Sequence, residues 1–184
     1  EFTEDELLVL KNFSFITLKP IIYVANVSED DAIVGTNEYV EKVREYASNE
    51  GSGVVVLSAK LESELSELEV DDKKEFMDSL GLQNSGLDKL IFETYNLLGL
   101  ATFFTAGEKE CRAWTFKKGM KAPACAGIIH SDFERGFIRC ETMSFEDLEK
   151  YGSELKVKEA GRMRLEGKEY LMQDGDICYF RFNV

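Results

Sequence analysis

The sequence is poor in the residue types that most often build catalytic and metal sites. His130 is its single histidine, and its four cysteines are Cys111, Cys125, Cys140 and Cys178. They stand 14, 15 and 38 positions apart, so no C-x-x-C pair exists. This spacing predicts neither a disulfide framework nor a zinc site, and it favours a reducing, cytosolic setting. Because no acid is obviously placed to orient His130, we expect no catalytic residue and no metal ligand.

Long apolar runs and an excess of positive charge are also absent. No run approaches the roughly 20 apolar residues of a membrane span, and no signal peptide leads the chain, so we expect no membrane partner. The net charge of −13 lies entirely in residues 1–100, which hold 21 acidic and 8 basic residues, whereas residues 101–184 hold 14 of each. This asymmetry indicates two units. Neither has the basic excess typical of a protein that binds duplex nucleic acid mainly through its phosphates, so we expect no DNA partner. Because the first residue is Glu1 rather than Met, we expect a fragment or a trimmed product.

The first half of the sequence has the pattern of a βαβ unit. Pro20 precedes an apolar run at 21–25, and apolar residues at helical spacing follow from residue 36 to residue 47. Gly51 and Gly53 end that helix, and a second short apolar run covers 54–57. Two strands joined by one helix are almost always parallel and right-handed. Further helices are predicted from residue 62 and over 87–98.

The second half has the pattern of an α+β fold. Segments 101–104, 111–116 and 136–143 are typical of strands, and 122–129 is typical of one main helix. Two more short strands are expected within 170–183, around the turn-forming residues 173–176.

Polar side chains follow both strands of the βαβ unit. Asn26-Val27-Ser28-Glu29 follows the first strand and Ser58-Ala59-Lys60 follows the second. Ligands of parallel sheets bind at the carboxyl ends of the strands, so we expect these segments to lie side by side there. They match the N-K-x-D and S-A-K motifs with which GTPase-type domains hold the base. Either motif alone is more often a simple turn or a chance match, whereas for the pair on adjacent strands a base site and two simple turns are equally open.

Two departures from the first motif bear on which base is read. Val27 stands where the motif has Lys, and Glu29 stands where it has Asp. The motif's Asp accepts two hydrogen bonds from guanine, and one added methylene displaces the carboxylate. Adenine presents a different edge and can use Asn26 together with main-chain groups. Val27 and Glu29 are therefore predicted to set the specificity, against GTP and in favour of ATP.

Longer stretches of the chain resemble one family. They are LKPIIYVANV (18–27), YNLLGLATFFTAGEKE (95–110), RAWT (112–115), AGIIHSDFERGFIR (126–139), RLEGKEY (164–170) and FRFNV (180–184). These segments are similar to the YchF family of Obg-like ATPases, which are P-loop NTPases. The resemblance covers nearly the whole chain and is densest after residue 95.

The resemblance implies a fold, a cofactor and a partner. The fold is α/β over 1–100, a partial parallel-sheet P-loop nucleotide domain in which 1–17 ends a helical insert, followed by an α+β TGS domain of β-grasp fold over 101–184. It further implies cytoplasmic ATP hydrolysis with Mg in the full-length protein, and association with the large ribosomal subunit. By motif alignment the base contacts are Asn26, Val27, Ser58, Ala59 and Lys60.

The phosphate-binding motif G-x-x-x-x-G-K-[ST] occurs nowhere in the sequence, and the switch segments are missing too. We therefore expect this chain to be inactive as an ATPase and to hold no ATP or Mg by itself. The alternative function is a stand-alone TGS-type interaction module that binds RNA or protein and no nucleotide.

Two side-chain groups in the second half allow two interpretations each. The aromatic group could stack on single-stranded RNA or, as we favour, form the core: Trp114, Phe116, Phe133, Phe137 and Phe180. The basic group could contact phosphate or, as we favour, belong to a mixed surface with interleaved acids: Arg135, Arg139, Arg162, Arg164 and Lys168.

Overall fold

The computed structural model describes residues 2–107 and 110–183 of the chain. The fold divides into two compact units, Glu1–Leu98 and Gly99–Val184, which we call the first and the second unit. Glu108, Lys109 and Val184, which belong to segments with the family resemblance, lie outside the described residues. Among the described residues, no helix is long and apolar enough to cross a membrane.

A parallel βαβ unit lies at the centre of the first unit, as the sequence predicts. Strand β1 (Ile22–Asn26) pairs in parallel with β2 (Gly53–Leu57), and Asn26 stands opposite Leu57 at the end of the register. Between them lies α3 (Glu38–Glu50), which begins at the Asn37 cap and ends at Gly51, whose φ of 69° favours glycine. Residues of α3 and β2 supply much of the local core: Val40, Ala47, Val55 and Leu57.

The other helices of the first unit differ in part from the prediction. A short α1 (Glu4–Lys11) begins the chain, and α2 (Glu29–Val34) forms where the sequence predicted only a break. Ser28 caps α2 by accepting a hydrogen bond from the Asp31 amide, which explains why a helix begins there. The stretch predicted from residue 62 is two helices, α4 (Ala59–Glu67) and α5 (Val70–Ser79), because the chain is extended at Leu68. The last helix, α6 (Gly86–Leu97), matches its prediction.

The second unit is a five-stranded mixed sheet with helices on both faces. Its strands are β3 (Leu100–Ala106), β4 (Cys111–Lys117), β5 (Phe137–Ser144), β6 (Arg164–Glu166) and β7 (Asp176–Phe182). The order across the sheet is β4-β3-β7-β5-β6, with β3 and β7 parallel and the other neighbours antiparallel. Helices α7 (Ala122–Ile129) and α8 (Ser131–Arg135) pack on one face, while α9 (Phe145–Tyr151) and α10 (Glu154–Glu159) pack on the other.

Two details of the sequence prediction for the second unit are wrong. The described part of this unit has four helices where one main helix was expected, because serines and His130 cap three short extra ones. Within 170–183, all of which is described, only β7 is a strand, since Leu171 makes a single bridge to Lys121. Asp174 lies in the loop before β7, and its carboxylate accepts a hydrogen bond from the Thr102 amide of β3 at 2.7 Å. This bond connects the loop to the sheet.

The aromatic group of the second unit belongs to the core, as favoured. Phe116 and Phe137 are buried, and Trp114, Phe133 and Phe180 are partly buried against the same cluster. The Trp114 indole N–H donates to Thr105 Oγ1 at 2.9 Å. These rings are therefore used within the fold rather than as a stacking platform.

The structure shows the surroundings of the single histidine and of the four cysteines. His130 is exposed and caps α8 through Nδ1, which accepts from the Asp132 amide at 3.2 Å. Cys111 is exposed, whereas Cys125, Cys140 and Cys178 are buried free thiols. Burial raises the pKa of Cys125 to about 12, so this thiol is unreactive at neutral pH.

Candidate nucleotide-base site

The polar segments after the two parallel strands meet at one edge of the first unit, as the sequence predicts. The Val27 amide continues the ladder by donating to the Leu57 carbonyl at 2.9 Å. This bond holds the chain after β1 beside the chain after β2. Asn26 and Ala59 are thereby brought together although 33 positions separate them.

A hydrogen bond joins the two motifs directly. Asn26 Oδ1 accepts from the Ala59 amide at 2.9 Å. Because a side-chain amide offers one carbonyl oxygen and one NH₂ group, this bond fixes the oxygen and leaves the Nδ2 donors of Asn26 for another partner. The Ala59 amide, which the sequence suggested as a donor to the base, is already engaged within the protein. Its role in this geometry is to position Asn26.

An ion pair joins the same two segments beyond that bond. Lys60 Nζ lies 2.6 Å from a carboxylate oxygen of Glu29, and 3.7 Å from one of Glu64. The hydrogen bond to Glu29 is the main reason why the pKa of Lys60 is raised. Lys60 is largely exposed, so the pair contributes little to stability. It places the Glu29 carboxylate at the edge of the site.

The bottom of the site is rigid because helix α4 starts there. Ser58 is buried, and its Oγ caps α4 by accepting from the Leu61 amide. Glu62, one turn into α4, accepts from the Gly86 amide at 2.7 Å and the Leu87 amide at 3.2 Å, at the start of α6. A β-carbon on Gly86 would lie 2.4 Å from the Leu57 β-carbon, so only glycine allows this approach.

This arrangement can recognise a flat heterocycle but offers little to a phosphate. Asn26 supplies amide donors, Val27 a half-buried apolar side chain, and Lys60 a cation whose partner is Glu29. The Asn26–Ala59 bond and the Lys60–Glu29 pair could not be read from the sequence. The only sequence signal for them was that both segments follow strands of one βαβ unit.

The second unit contains a buried polar network that the sequence analysis missed. The Asp176 carboxylate is 1% exposed and accepts hydrogen bonds from Arg164 Nη2 at 2.9 Å, from the Tyr170 hydroxyl at 2.7 Å and from the Gln173 amide at 2.9 Å. All three partners are donors, so the carboxylate is satisfied. The network joins β6, the following loop and β7 and is structural. The turn-forming cluster at 173–176 was the available signal, and it was assigned only to a turn.

The basic group proposed from the sequence does not form one surface cluster. Arg164 is committed to Asp176, Arg162 Nε pairs with Asp147 at 3.1 Å, and Arg135 pairs with Asp132 at 3.5 Å. These pairs agree with the favoured mixed surface. Arg139 differs from them, because it lies on β5 opposite Arg181 of β7.

Comparison with known proteins identifies similar chains over the whole length of this one. The family model YchF-GTPase_C, described as "Protein of unknown function (DUF933)", matches residues 100–183. The chain is 62% identical over 185 residues to the ribosome-binding ATPase YchF of Bacillus subtilis, covering 100% of this chain and 50% of that protein. It is 41% identical to the Obg-like ATPase 1 of Pongo abelii, covering 100% of this chain and 47% of that protein. The chain spans about half the length of the curated relatives it matches.

A solved structure agrees with these sequence matches. The structure of the Schizosaccharomyces pombe YchF GTPase superposes with a TM-score of 0.82 at 35% identity, covering 98% of this chain and 48% of that one. The mixed α/β fold described above is therefore shared with a solved relative. The names of these relatives differ in the nucleotide, since the curated relatives are called ATPases and the solved one a GTPase.

Proposed function

Because this chain belongs to the YchF family of Obg-like ATPases, corresponding to the C-terminal half of its relatives, we propose that it supplies the base-recognition half of a nucleotide domain together with a ribosome-docking TGS domain. In this proposal the longer protein is a cytoplasmic, ribosome-associated ATPase that binds ATP with Mg. The first unit reads the base through Asn26, Val27 and Lys60, while Ser58 caps α4 and the Ala59 amide positions Asn26. The remaining half of the longer protein holds the phosphates.

The observation that carries the base site is the bond between Asn26 Oδ1 and the Ala59 amide. It joins the two motifs across the carboxyl ends of parallel strands, where ligands of such sheets bind. It also orients the Asn26 amide before any ligand arrives, and a preorganised donor loses less entropy on binding. The Val27–Leu57 ladder bond and the Lys60–Glu29 ion pair hold the same two segments together.

The Lys60–Glu29 ion pair supports adenine over guanine. Guanine recognition needs an acidic side chain free to accept two hydrogen bonds, and the Glu29 carboxylate is held by Lys60 at 2.6 Å. Adenine makes no such demand, because a ring acceptor can take a donor from Asn26 and its amino group can meet a main-chain carbonyl. Val27 and Glu29 are therefore the proposed specificity-setting residues.

The topology of the second unit supports a β-grasp TGS domain. Its first hairpin, β3–β4, is followed by α7 across one face, and β7 then inserts beside β3 in parallel. That arrangement, with the last strand central, is what a β-grasp fold has. We propose that this unit docks on the ribosome, at its large subunit. The name of the Bacillus subtilis relative, a ribosome-binding ATPase, supports a ribosomal partner.

We expect this chain alone to bind ATP only weakly. The phosphates normally provide much of a nucleotide's binding energy, and their loop motif is not in this sequence. Calorimetric titration with Mg·ATP should give a dissociation constant no tighter than about 1 mM, or about −4 kcal/mol. A micromolar dissociation constant, about −8 kcal/mol, would contradict the proposal that the other half of the longer protein holds the phosphates.

The second candidate function is a stand-alone interaction module, and the autonomy of the second unit favours it. This unit has its own hydrophobic cluster and its own sheet. Because the Lys118 amide donates to the Gly99 carbonyl at 2.7 Å, the segment to express is 99–184.

We predict that the isolated segment 99–184 has the circular dichroism spectrum of a folded sheet and that it unfolds cooperatively in urea. A gradual, non-cooperative transition would contradict the idea of an autonomous module.

Ribosome binding distinguishes the two candidate functions. If the folded segment binds ribosomes as tightly as the longer protein does, both with and without ATP, the interaction module is the better description. If binding requires the longer protein and responds to ATP, the nucleotide-dependent function is supported.

A further inference from the structure

One face of the second unit carries an ordered series of cross-strand pairs between β5 and β7. Met143 stands opposite Ile177, and this pair is buried beneath α10. One step further Glu141 stands opposite Tyr179, and at the open end Arg139 stands opposite Arg181. Side chains two apart on a strand share a face, so the two arginines lie on the face that α10 covers only in part.

A β-bulge lies directly beside the arginine pair. The register is regular from Ser144 to Arg139 and then shifts, so that Phe137 is opposite Phe182 and Ile138 is extra. The arginine pair is therefore the last regular pair before the bulge. Bulges are over-represented next to functional sites of sheets.

The pairing of Arg139 with Arg181 is not itself a stabilising cross-strand pair. Like charges directly opposite on neighbouring strands destabilise a sheet. Arg181 already satisfies Glu141 with two hydrogen bonds, at 2.9 Å and 3.3 Å. Among the described residues Arg139 forms no direct ion pair.

Cations outnumber carboxylates around Glu141 on this face. Hydrogen bonding to Arg181 lowers the pKa of Glu141, and Arg139 and Lys158 add to the effect, so three cations share that carboxylate. The other nearby carboxylate, Glu154, accepts from the Tyr179 hydroxyl at 3.1 Å. By contrast, Arg135, Arg162 and Arg164 each have a direct carboxylate partner.

We propose that Arg139 and Arg181 form the surface by which the second unit contacts the phosphate backbone of structured RNA. Guanidinium groups match phosphate geometry and commonly position proteins on nucleic acids without reading sequence. The inference rests on the ribosome-docking role proposed above, and it names the side chains and the chemical partner. The phosphates of RNA are anions that the two opposed arginines can bind.

The test compares Arg139→Gln with Lys117→Gln, which removes one positive charge from β4 at the far edge of the sheet. The probes are a short fluorescent RNA duplex and purified ribosomes, each titrated over a salt series with the whole chain. Arg139→Gln should weaken duplex binding about tenfold and reduce the slope of log affinity against log salt by about one. Lys117→Gln should leave both unchanged. Because the opposed charges are relieved, Arg139→Gln should also unfold at the same or a higher urea concentration.

Other results separate this surface from the docking role. If the chain binds ribosomes and Arg139→Gln changes neither affinity nor slope, docking stands and this surface is wrong. If Arg139→Gln weakens ribosome binding while the chain ignores the RNA duplex, the partner is an acidic protein surface and the RNA assignment is overturned. A chain that binds neither probe overturns both proposals.

Discussion

Replacing Asp176 by alanine should destabilise the second unit by about 3–5 kcal/mol, the usual effect of removing one partner from a buried charge pair. The carboxylate is 1% exposed and accepts from Arg164, Tyr170 and the Gln173 amide. Alanine leaves three donors without their acceptor in a region from which water is largely excluded. Urea unfolding of residues 99–184 should show the loss as a fall in midpoint at an unchanged slope.

A matched control is Glu169→Gln, which removes a carboxylate from an exposed ion pair with Lys121 and should cost less than about 1 kcal/mol. The Asp176 network also makes the stability of the second unit depend on pH in the alkaline range. Burial and the hydrogen bond to Asp176 raise the pKa of Tyr170 above its ordinary value of 10.0. The unfolded chain therefore loses this proton first, and the contribution of Tyr170 to stability is lost as pH rises above about 10. Equal urea midpoints for Asp176→Ala and Glu169→Gln would contradict the structural role of the network.

The second large effect concerns which nucleotide is preferred. In the longer protein that carries the N-terminal half found in the relatives, Val27→Lys with Glu29→Asp should shift the ratio of ATP to GTP affinity toward GTP by about tenfold or more. A bidentate contact to a base edge discriminates by about 1–3 kcal/mol, and tenfold corresponds to about 1.4 kcal/mol. An aspartate at position 29 is too short to reach Lys60 as Glu29 does at 2.6 Å, so its carboxylate becomes available to guanine.

Competition of ATP and GTP for a fluorescent nucleotide checks this prediction. The control is Asp30→Glu, which changes the length of the neighbouring carboxylate and should leave the ratio unaltered. If the double variant keeps the original ratio, Val27 and Glu29 do not set the base.

The parallel βαβ unit was predictable because its signals are local and agree with one another. An apolar run after Pro20, a helix ended by Gly51 and a second run of valines leave few alternatives. Placing Asn26 beside Ala59 followed from topology alone, since parallel strands end at the same edge. What could not be predicted is that the Ala59 amide is engaged by Asn26, because a hydrogen bond between groups 33 positions apart depends on side-chain geometry.

In the second unit, the errors have a physical pattern of their own. Short helices such as α10 are stabilised by a serine cap and tertiary packing, so their sequences carry little helical periodicity. The segment around Leu171 has strand-like composition but finds only one bridge partner. The arginine pair depends on the register between β5 and β7, and a register shifted by one residue would place Arg139 opposite Phe180 instead.

If the segments after β1 and β2 hold a nucleotide base, the longer protein should lose ATP affinity on Asn26→Asp. This substitution keeps the oxygen that accepts from the Ala59 amide and removes the Nδ2 donors. We expect ATP to bind about tenfold more weakly, the loss that one unmade hydrogen bond of about 1.4 kcal/mol would cause. Asn49→Asp, at an exposed position of α3, should bind ATP as the unaltered protein does. Unchanged ATP affinity in a folded Asn26→Asp protein would contradict the base site.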